Sequence, residues 1–478
     1  MKSTQSVPSV AIIGGGIAGS TAAIHLGERG VNVTLLEKNA GLVDGPPICH
    51  LHAGGNLYRE ISLTQCIELL RQSIETIRLY PHTLNKRPTV IAVPHSDPGH
   101  PQDLLPRLEV IRTAYQQLVA EDPRNQILGQ PKHYYRLYQQ EELAQLAKLT
   151  QPHCPQTLDE WLIPFAQHAD LAQLKYPVIA VQEYGWSVFR LAASATLTLE
   201  HLDNCQVFTH STLINSAFID NQWHLTYRDS SGETHALTCD YLINACGYET
   251  GTVDDLTANP RQRLVEFKAA YVSHWPRCYQ AWPEVIFHGP RGTAQGMAQL
   301  TPYADGVFQL HGMTQDITLF KDGLVASSIE SSQPRLPDYL QQKMTQGWSA
   351  EAVAKRTRRA IDHMSQFVPE FTFAEVAGTP LFGAQQIPGQ DASLRAADVT
   401  FEPNHYARIE IVKGSSALEA ARKIVTTWQL VANSVPCSIE QQHPMSMRLT
   451  EQEVEQKAIQ LAEKRGYLAA LAKVVGPT

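Results

Sequence analysis

His50 and His52 stand two residues apart in the stretch GPPICHLHAGGNLYREIS, Gly45 to Ser62, with Cys49 ahead of them and Gly54-Gly55 behind. These residue types open three chemistries: metal ligation by imidazole, thiol redox chemistry, and backbone contact with a flat cofactor through glycine. An HxH pair needs further ligands, and no third histidine nearby completes a site, so no metal is assigned. The eight cysteines are scattered, with no CxxC among them, which argues against a disulfide framework or a zinc site. Cys246, inside YLINACGY, reads as a small buried hydrophobe.

The elements ahead of this loop narrow the choice. Val10 to Ile13 is a short apolar run, read as a strand, and Gly14, Gly15, Gly16 and Gly19, with Ile17 and Ala18 between them in the cofactor turn, cut it off before Thr21 to Leu26 opens a helix. A GxGxxG turn lets backbone approach a pyrophosphate, and the helix beyond supplies unpaired N–H groups and a positive dipole end. VNVTLLE then forms a second strand closed by Glu37, 23 positions after Gly14 and near the interval of about 20 expected of a carboxylate that takes up a ribose hydroxyl. Lys38 follows it directly. The pattern predicts dinucleotide binding. Plain alternation of strand and helix would suit an NAD domain, but here the Gly- and Pro-rich loop follows Glu37 instead.

This order of strand, glycine turn, helix, Glu-ended strand and glycine-bearing loop resembles the D-amino acid oxidase-like (DAO) family of FAD-dependent oxidoreductases. The resemblance extends to three later segments. CQVFTHSTLINSAF is similar to the strand and turn whose backbone meets the adenine, which puts Leu213 there. YLINACGY carries the Asn-Ala-x-Gly end of a strand, bringing in Ala245, Cys246 and Gly247. YARIEIVKGSSALEAARKIV is similar to the family's last glycine turn, with Gly414, Ser415, Ser416 and Ala417 at a helix N-terminus facing the flavin pyrimidine. The resemblance implies FAD as cofactor and a flavin contact for His52, Ala53, Gly54, Gly55, Asn56 and Leu57. Some family members attach FAD covalently through a histidine before Ala-Gly in this loop; the spacing at His52 differs, and noncovalent contact is the expectation.

The implied architecture is α/β: a Rossmann-like FAD-binding domain, discontinuous in sequence (1–75, 176–262 and 371–430), with an antiparallel-sheet α+β substrate domain (76–175 with a helical insert, and 263–370). A helical extension, 431–478, lies beyond the family core. Helical repeats are read in SLTQCIELLRQSIETIRLY, PRLEVIRTAYQQLVAEDP, QQEELAQLAKL, about 350–367, and the last stretch from Thr450. Alternating short strands are read over Phe267 to Met313.

Hydride removal from a carbon bearing an amine or hydroxyl is the chemistry implied. The substrate sheet offers Lys268, Tyr271, His274, Gln299, Tyr303, Gln309 and His311, of which period-2 alternation lets only one set face a cavity. Lys268 is favoured, to hold a carboxylate or activate oxygen. Lys413 is its rival beside the flavin turn, and Arg190 and Arg395 are candidate carboxylate clamps.

Composition agrees with a globular enzyme: 478 residues, 43% hydrophobic, formal charge −8 without like-charge runs, hence no nucleic-acid footprint. No run is long and apolar enough to span a membrane, and MKSTQSVPSVAIIGGG has no signal-peptide core, so a cytoplasmic location is expected. The expected function is oxidation of a small amine, amino acid or hydroxy acid, its electron acceptor unspecified. A competing reading is a flavin-bearing interaction protein, with minor catalysis, that binds a partner through its C-terminal helices. A flavoenzyme using NAD(P)H would need a second GxGxxG at a strand-helix junction, and none appears.

Overall fold

The computed structural model describes residues 7–45, 61–395, 398–431 and 437–475, together with the backbone of 51–53. Apolar runs too short for helices form the centre of a six-stranded sheet: β1 (Ser9–Ile13), β2 (Asn32–Leu36), β9 (Cys205–Phe208), β13 (Tyr241–Asn244), β21 (Val399–Glu402) and β22 (Tyr406–Ile409). Its order is β21-β22-β13-β1-β2-β9, parallel except for β21 at one edge. Val10, Ala11 and Ile12 are buried on both faces, as the centre of a parallel sheet requires.

Helix α1 (Ile17–Gly27) packs on this sheet through Ala22 and Ala23. A Cβ on Gly27 would come within 2.2 Å of Cys205 Sγ, so the approach depends on glycine. Helices α2 (Leu63–Leu79), α6 (Val188–Glu200) and α10 (Ala417–Trp428) share that layer. On the other face lies the antiparallel sheet of β10 (Thr212–Ile219), β11 (Gln222–Arg228) and β12 (Thr234–Cys239), its Trp223 and Leu225 packing on Ala11 and Leu242. Helix α7 (Thr250–Leu256) closes this side through Val253.

A ten-stranded sheet forms the second layer system. It runs β18-β14-β17-β16-β15-β5-β7-β6, with β19 and β20 also paired to β14. The strands are β5 (Thr89–Pro94), β6 (Tyr135–Tyr138), β7 (Leu174–Val181), β14 (Arg263–His274), β15 (Glu284–Phe287), β16 (Ala298–Pro302), β17 (Val307–Gly312), β18 (Leu324–Ala326), β19 (Glu375–Val376) and β20 (Leu381–Pro388). All pairs are antiparallel except β5 with β15. One face is a hydrophobic core under α4 (Gln140–Leu146), α5 (Leu158–His168), α8 (Asp338–Gln346) and α9 (Ala350–Ser365); α3 (Leu105–Glu121) covers Ile91 and Ile179 on the other.

Two expected boundaries fall inside this sheet. Residue 176 lies within β7, and 371 precedes β19 and β20, which both pair with β14. Strand β7 falls where YPVIAVQEYGW reads as sheet, whereas β5 escapes the periodicity reading because TVIAVP is buried throughout and does not alternate. A short sheet, β3 (Leu51–Ala53), β8 (Tyr184–Trp186) and β4 (Leu84–Asn85), joins the two systems.

The C-terminal residues form α11 (Ile439–Gln442) and α12 (Glu451–Lys464). Val454, Ala458 and Ala462, the apolar face of α12, are buried against Phe189 and Ala193 of α6 and against Ala270 and Val272 of β14. That face is buried within the chain and is not open to a partner protein. No helix among the described residues is long and apolar enough to cross a membrane.

Candidate active site

The glycine turn after β1 needs its glycines for different reasons. Gly14 has φ +98°, and a Cβ there would lie 2.6 Å from the Ala245 carbonyl oxygen; a Cβ on Gly19 would lie 1.8 Å from the Gly14 oxygen. Both are demanded by the chain's own packing. Gly16 is not: its φ of −66° suits any residue, and a Cβ would meet nothing within 4 Å. It is the N-cap of α1 and brings no side-chain cap for the first N–H groups of the helix, which begins at Ile17. That cradle, which a side chain would fill, fits the diphosphate of a dinucleotide.

Glu37 closes β2 with its carboxylate against the same turn. Oε2 accepts from the Gly15 N–H at 2.6 Å and Oε1 from the Asn39 N–H at 2.7 Å. Burial raises its pKa, opposed by these two N–H donors. The β9–β10 connection is bonded to this strand end, with Glu37 N donating to Phe208 O and Ser211 N to Glu37 O, both at 2.8 Å. Leu213 therefore lies beside it, in one cluster with Ile13 and Leu36. Lys38 pairs with Glu249, tying the end of β2 to the turn after β13.

At the end of β13, Asn244 is fully buried and donates to the Thr250 carbonyl at 2.9 Å and to the Tyr406 hydroxyl at 2.7 Å. Ala245 meets Gly14 as above. Cys246 donates its thiol to Ile13 O at 3.2 Å, burial pushes its pKa well up, and it is no nucleophile. Gly247 turns the chain at φ +57°.

Gly414–Ser416 form a single tight turn into α10, which begins at Ala417. The turn is anchored on α2: Ser416 Oγ donates to Gln72 Oε1 at 2.6 Å, and Thr76 Oγ1 donates to Ser415 O at 2.8 Å. Lys413 precedes it, half-buried. The backbone of His52 and Ala53 pairs with Gly185 and Tyr184 on β8. His50, Gly54, Gly55, Asn56 and Leu57 lie outside the described residues, and with them the tests of metal ligation and covalent attachment.

The ten-stranded sheet has a second face that is buried yet polar. Period-2 alternation puts Val265, Phe267, Ala269 and Tyr271 of β14 into the hydrophobic core and Glu266 and Lys268 on the opposite side. Gln309 and His311 of β17 share that side, beside their register partners Thr301 and Gln299 of β16. With Glu284 and Arg87 they are all at most 7% exposed. Their bonds form short chains: Tyr303 OH to Gln309 Oε1 at 3.0 Å, Gln309 Nε2 to His311 Nδ1 at 3.2 Å, Gln299 Nε2 to Glu284 Oε1 at 2.6 Å, and Arg87 Nη1 to Glu284 Oε2 at 2.5 Å. Lys268 Nζ lies 2.7 Å from Glu266 Oε2, and Glu266 Oε1 pairs with Arg291. These buried polar groups satisfy one another and make this face the candidate substrate side of the sheet.

Several candidates fall elsewhere. Tyr271 points into the core, donating to Ile317 O at 3.0 Å and accepting from Arg356 Nε at 2.5 Å. His274 sits at the last position of β14, opposite Val307. Arg190 is buried at the start of α6, donating to His82 O at 3.0 Å and to Asn85 Oδ1, and burial lowers its pKa to about 10. Arg395 donates to Ala392 O and Leu394 O of its own loop at 2.9 and 2.7 Å. Both arginines are bonded to neighbours as structural brackets. Arg87, Glu266, Glu284 and Gln385 were not singled out from sequence. The signal for the first and third is a charge abutting a fully apolar strand, Arg87 before TVIAVP and Glu284 before VIF.

Known proteins share this fold. The structure is similar to L-amino acid deaminase from Proteus vulgaris (TM-score 0.57, 13% identity, covering 95% of this chain and 97% of that one). It is also similar to glycine oxidase from Geobacillus kaustophilus (TM-score 0.55, 12% identity, 90% and 96%) and to the glycerol-3-phosphate dehydrogenase of Bacillus halodurans, solved with FAD (TM-score 0.53, 13% identity, 98% and 74%). A stretch of 39 residues is 59% identical to the carotenoid phi-ring synthase of Streptomyces griseus, spanning 8% of this chain and 8% of that protein. The model of the FAD dependent oxidoreductase family (DAO) matches residues 9–383. The nucleotide turn, the buried polar sheet face and this match over most of the chain have one meaning: the chain belongs to the DAO family of FAD-dependent oxidoreductases, enzymes that use FAD.

Proposed function

We propose that the protein oxidises a small polar substrate, an amine, amino acid or hydroxy acid, held against the polar face of the ten-stranded sheet. The observation that carries this reading is the bond of Lys268 to Gln385 Oε1 at 3.2 Å, while Gln385 Nε2 donates to Val412 O at 2.8 Å, two residues before Gly414. It links the polar face to the turn assigned to the flavin pyrimidine. FAD supplies the acceptor for the hydride that leaves the substrate carbon.

The chain's own groups have separable tasks. Lys268, paired with Glu266, complements an anionic group. Gln309, accepting from Tyr303 and donating to His311 Nδ1, holds that imidazole in the tautomer that carries its proton on Nε2. The Glu37 carboxylate takes a ribose hydroxyl, and the Gly14–Gly16 turn takes the diphosphate. The six-stranded sheet with its hairpin sheet forms the cofactor-holding domain, the ten-stranded sheet the substrate domain, and residues 431–478 a cap across both. The seven described cysteines are all free, which supports a reducing, cytoplasmic setting.

Amino acids and glycerol 3-phosphate head the substrate panel, because the names of the similar structures point to them. Under anaerobic conditions the yellow protein should bleach with one member of a panel of amino acids, glycerol 3-phosphate, amines and hydroxy acids. A yellow protein that no member bleaches would sink the reading.

A further inference from the structure

We infer that Arg465, in the extension beyond the family-matched residues, is a positioning residue for the cofactor, holding the segment that backs the glycine turn. Its guanidinium forms a bracket: Nε lies 2.8 Å from Asp44 Oδ1, Nη1 donates to Val43 O at 3.3 Å, and Nη2 donates to Asp44 O at 3.1 Å and Gly45 O at 2.9 Å. The side chain is 13% exposed, its guanidinium lying 5.2 Å from the Phe189 ring centroid and 5.6 Å from that of Tyr467. Three successive carbonyls thus depend on one side chain for these bonds.

What the bracket holds is strained and is wired to the turn. Val43 has φ +50°, a left-handed conformation that a β-branched residue keeps only when its surroundings over-determine it. Its N–H donates to the Gly15 carbonyl at 2.8 Å, and the Gly15 N–H in turn donates to Glu37. Next to it, Leu42 Cδ2 would lie 2.7 Å from a Cβ on Gly15, so Leu42 and Val43 together set where the turn sits. The extension therefore acts on the cofactor through main chain, without touching it. The enzyme's cofactor site is incomplete without the last helix.

The inference rests on FAD binding at the Gly14–Gly16 turn, so wild-type protein stripped of flavin and titrated with FAD is the control; failure there defeats the functional reading, not this one. Arg465→Met should raise the Kd for FAD about tenfold to a hundredfold, the loss expected of charge-assisted hydrogen bonds, and should shift the visible bands of the flavin that remains. Arg465→Lys keeps the cation beside Asp44 but cannot bracket three carbonyls, and should fall between Met and wild type. A folded Arg465→Met apoprotein that melts lower yet binds FAD with wild-type Kd and spectrum would show a purely structural role and overturn the inference. Should Arg465→Met fail to fold, a wild-type Kd and spectrum for Arg465→Lys overturns it equally. Should neither fold, amide exchange decides on the wild type: slower exchange across 461–467 when FAD is added supports the coupling, and unchanged exchange there refutes it.

Discussion

Gln385 donates its side-chain amide to the carbonyl of Val412 at 2.8 Å, joining β20 of the substrate sheet to the strand end that leads into the Gly414 turn. The same amide accepts from Lys268 at 3.2 Å. One uncharged side chain thus ties the polar face to the segment before the Gly414 turn, and on the function proposed above an error in that register is an error in the distance between substrate and flavin.

Gln385→Leu should leave FAD content unchanged, because no group assigned to the cofactor is removed. The rate of flavin reduction by a saturating substrate should fall by about tenfold or more, the penalty expected when a positioning contact is lost. Stopped-flow measurement against wild type checks it; an unaltered reduction rate would detach Gln385 from the chemistry.

Gly16→Ala and Gly14→Ala should behave oppositely as apoproteins. The first meets no protein atom and fits the observed φ, so its apoprotein should melt at the wild-type temperature while FAD retention is lost. The second forces a side chain to φ +98° and against Ala245 O, so its apoprotein should melt lower. Calorimetry of the two apoproteins, with flavin absorbance after gel filtration, distinguishes them.

Glu37→Ala removes the acceptor of the Gly15 N–H as well as the proposed ribose contact. Apoprotein titration should show FAD affinity weaker by about 1.5 to 3 kcal/mol. Equal affinity would count against the ribose role.

Glu28 gives the C-terminal extension a pH signature. Its Oε1 accepts from the Met445 and Ser446 N–H groups at 2.6 and 3.0 Å, and burial raises its pKa from 4.5 to about 7. An acid whose pKa is higher folded than unfolded favours folding most below its unfolded value, and that contribution is lost as pH rises through about 7. Glu28→Gln, which keeps an acceptor and cannot ionise, should melt higher than wild type at pH about 8, the gap closing towards pH about 5. Paired melting curves across that range test the sign, and a gap that widens on acidification would reverse it.

Much of the cofactor half was legible from local pattern, because a strand, a glycine turn, a helix and an acid-ended strand are contiguous in sequence. The substrate face was legible one strand at a time. Alternation separates Lys268 from Tyr271 only once it is known which side of β14 the helices cover, and that is set by α5 and α9, far along the chain. Arg87 and Glu284 meet because β5 lies parallel to β15, a pairing between segments 197 residues apart that no window can hold. The arginines raise a simpler difficulty. Composition cannot distinguish a guanidinium that brackets carbonyls, as Arg190 and Arg395 do, from one that awaits a carboxylate.

The bracket at Arg465 also bears on how the protein is made. Arg465 and Val43 are 422 residues apart, so on the ribosome the glycine turn emerges long before the side chain that steadies it has been synthesised. Through most of translation, β1 also lacks the strands β13 and β22 that complete its sheet. The nascent chain therefore presents an unfinished nucleotide cradle, and on the reading proposed above FAD is held firmly only once residue 465 has been made and has folded back on the turn.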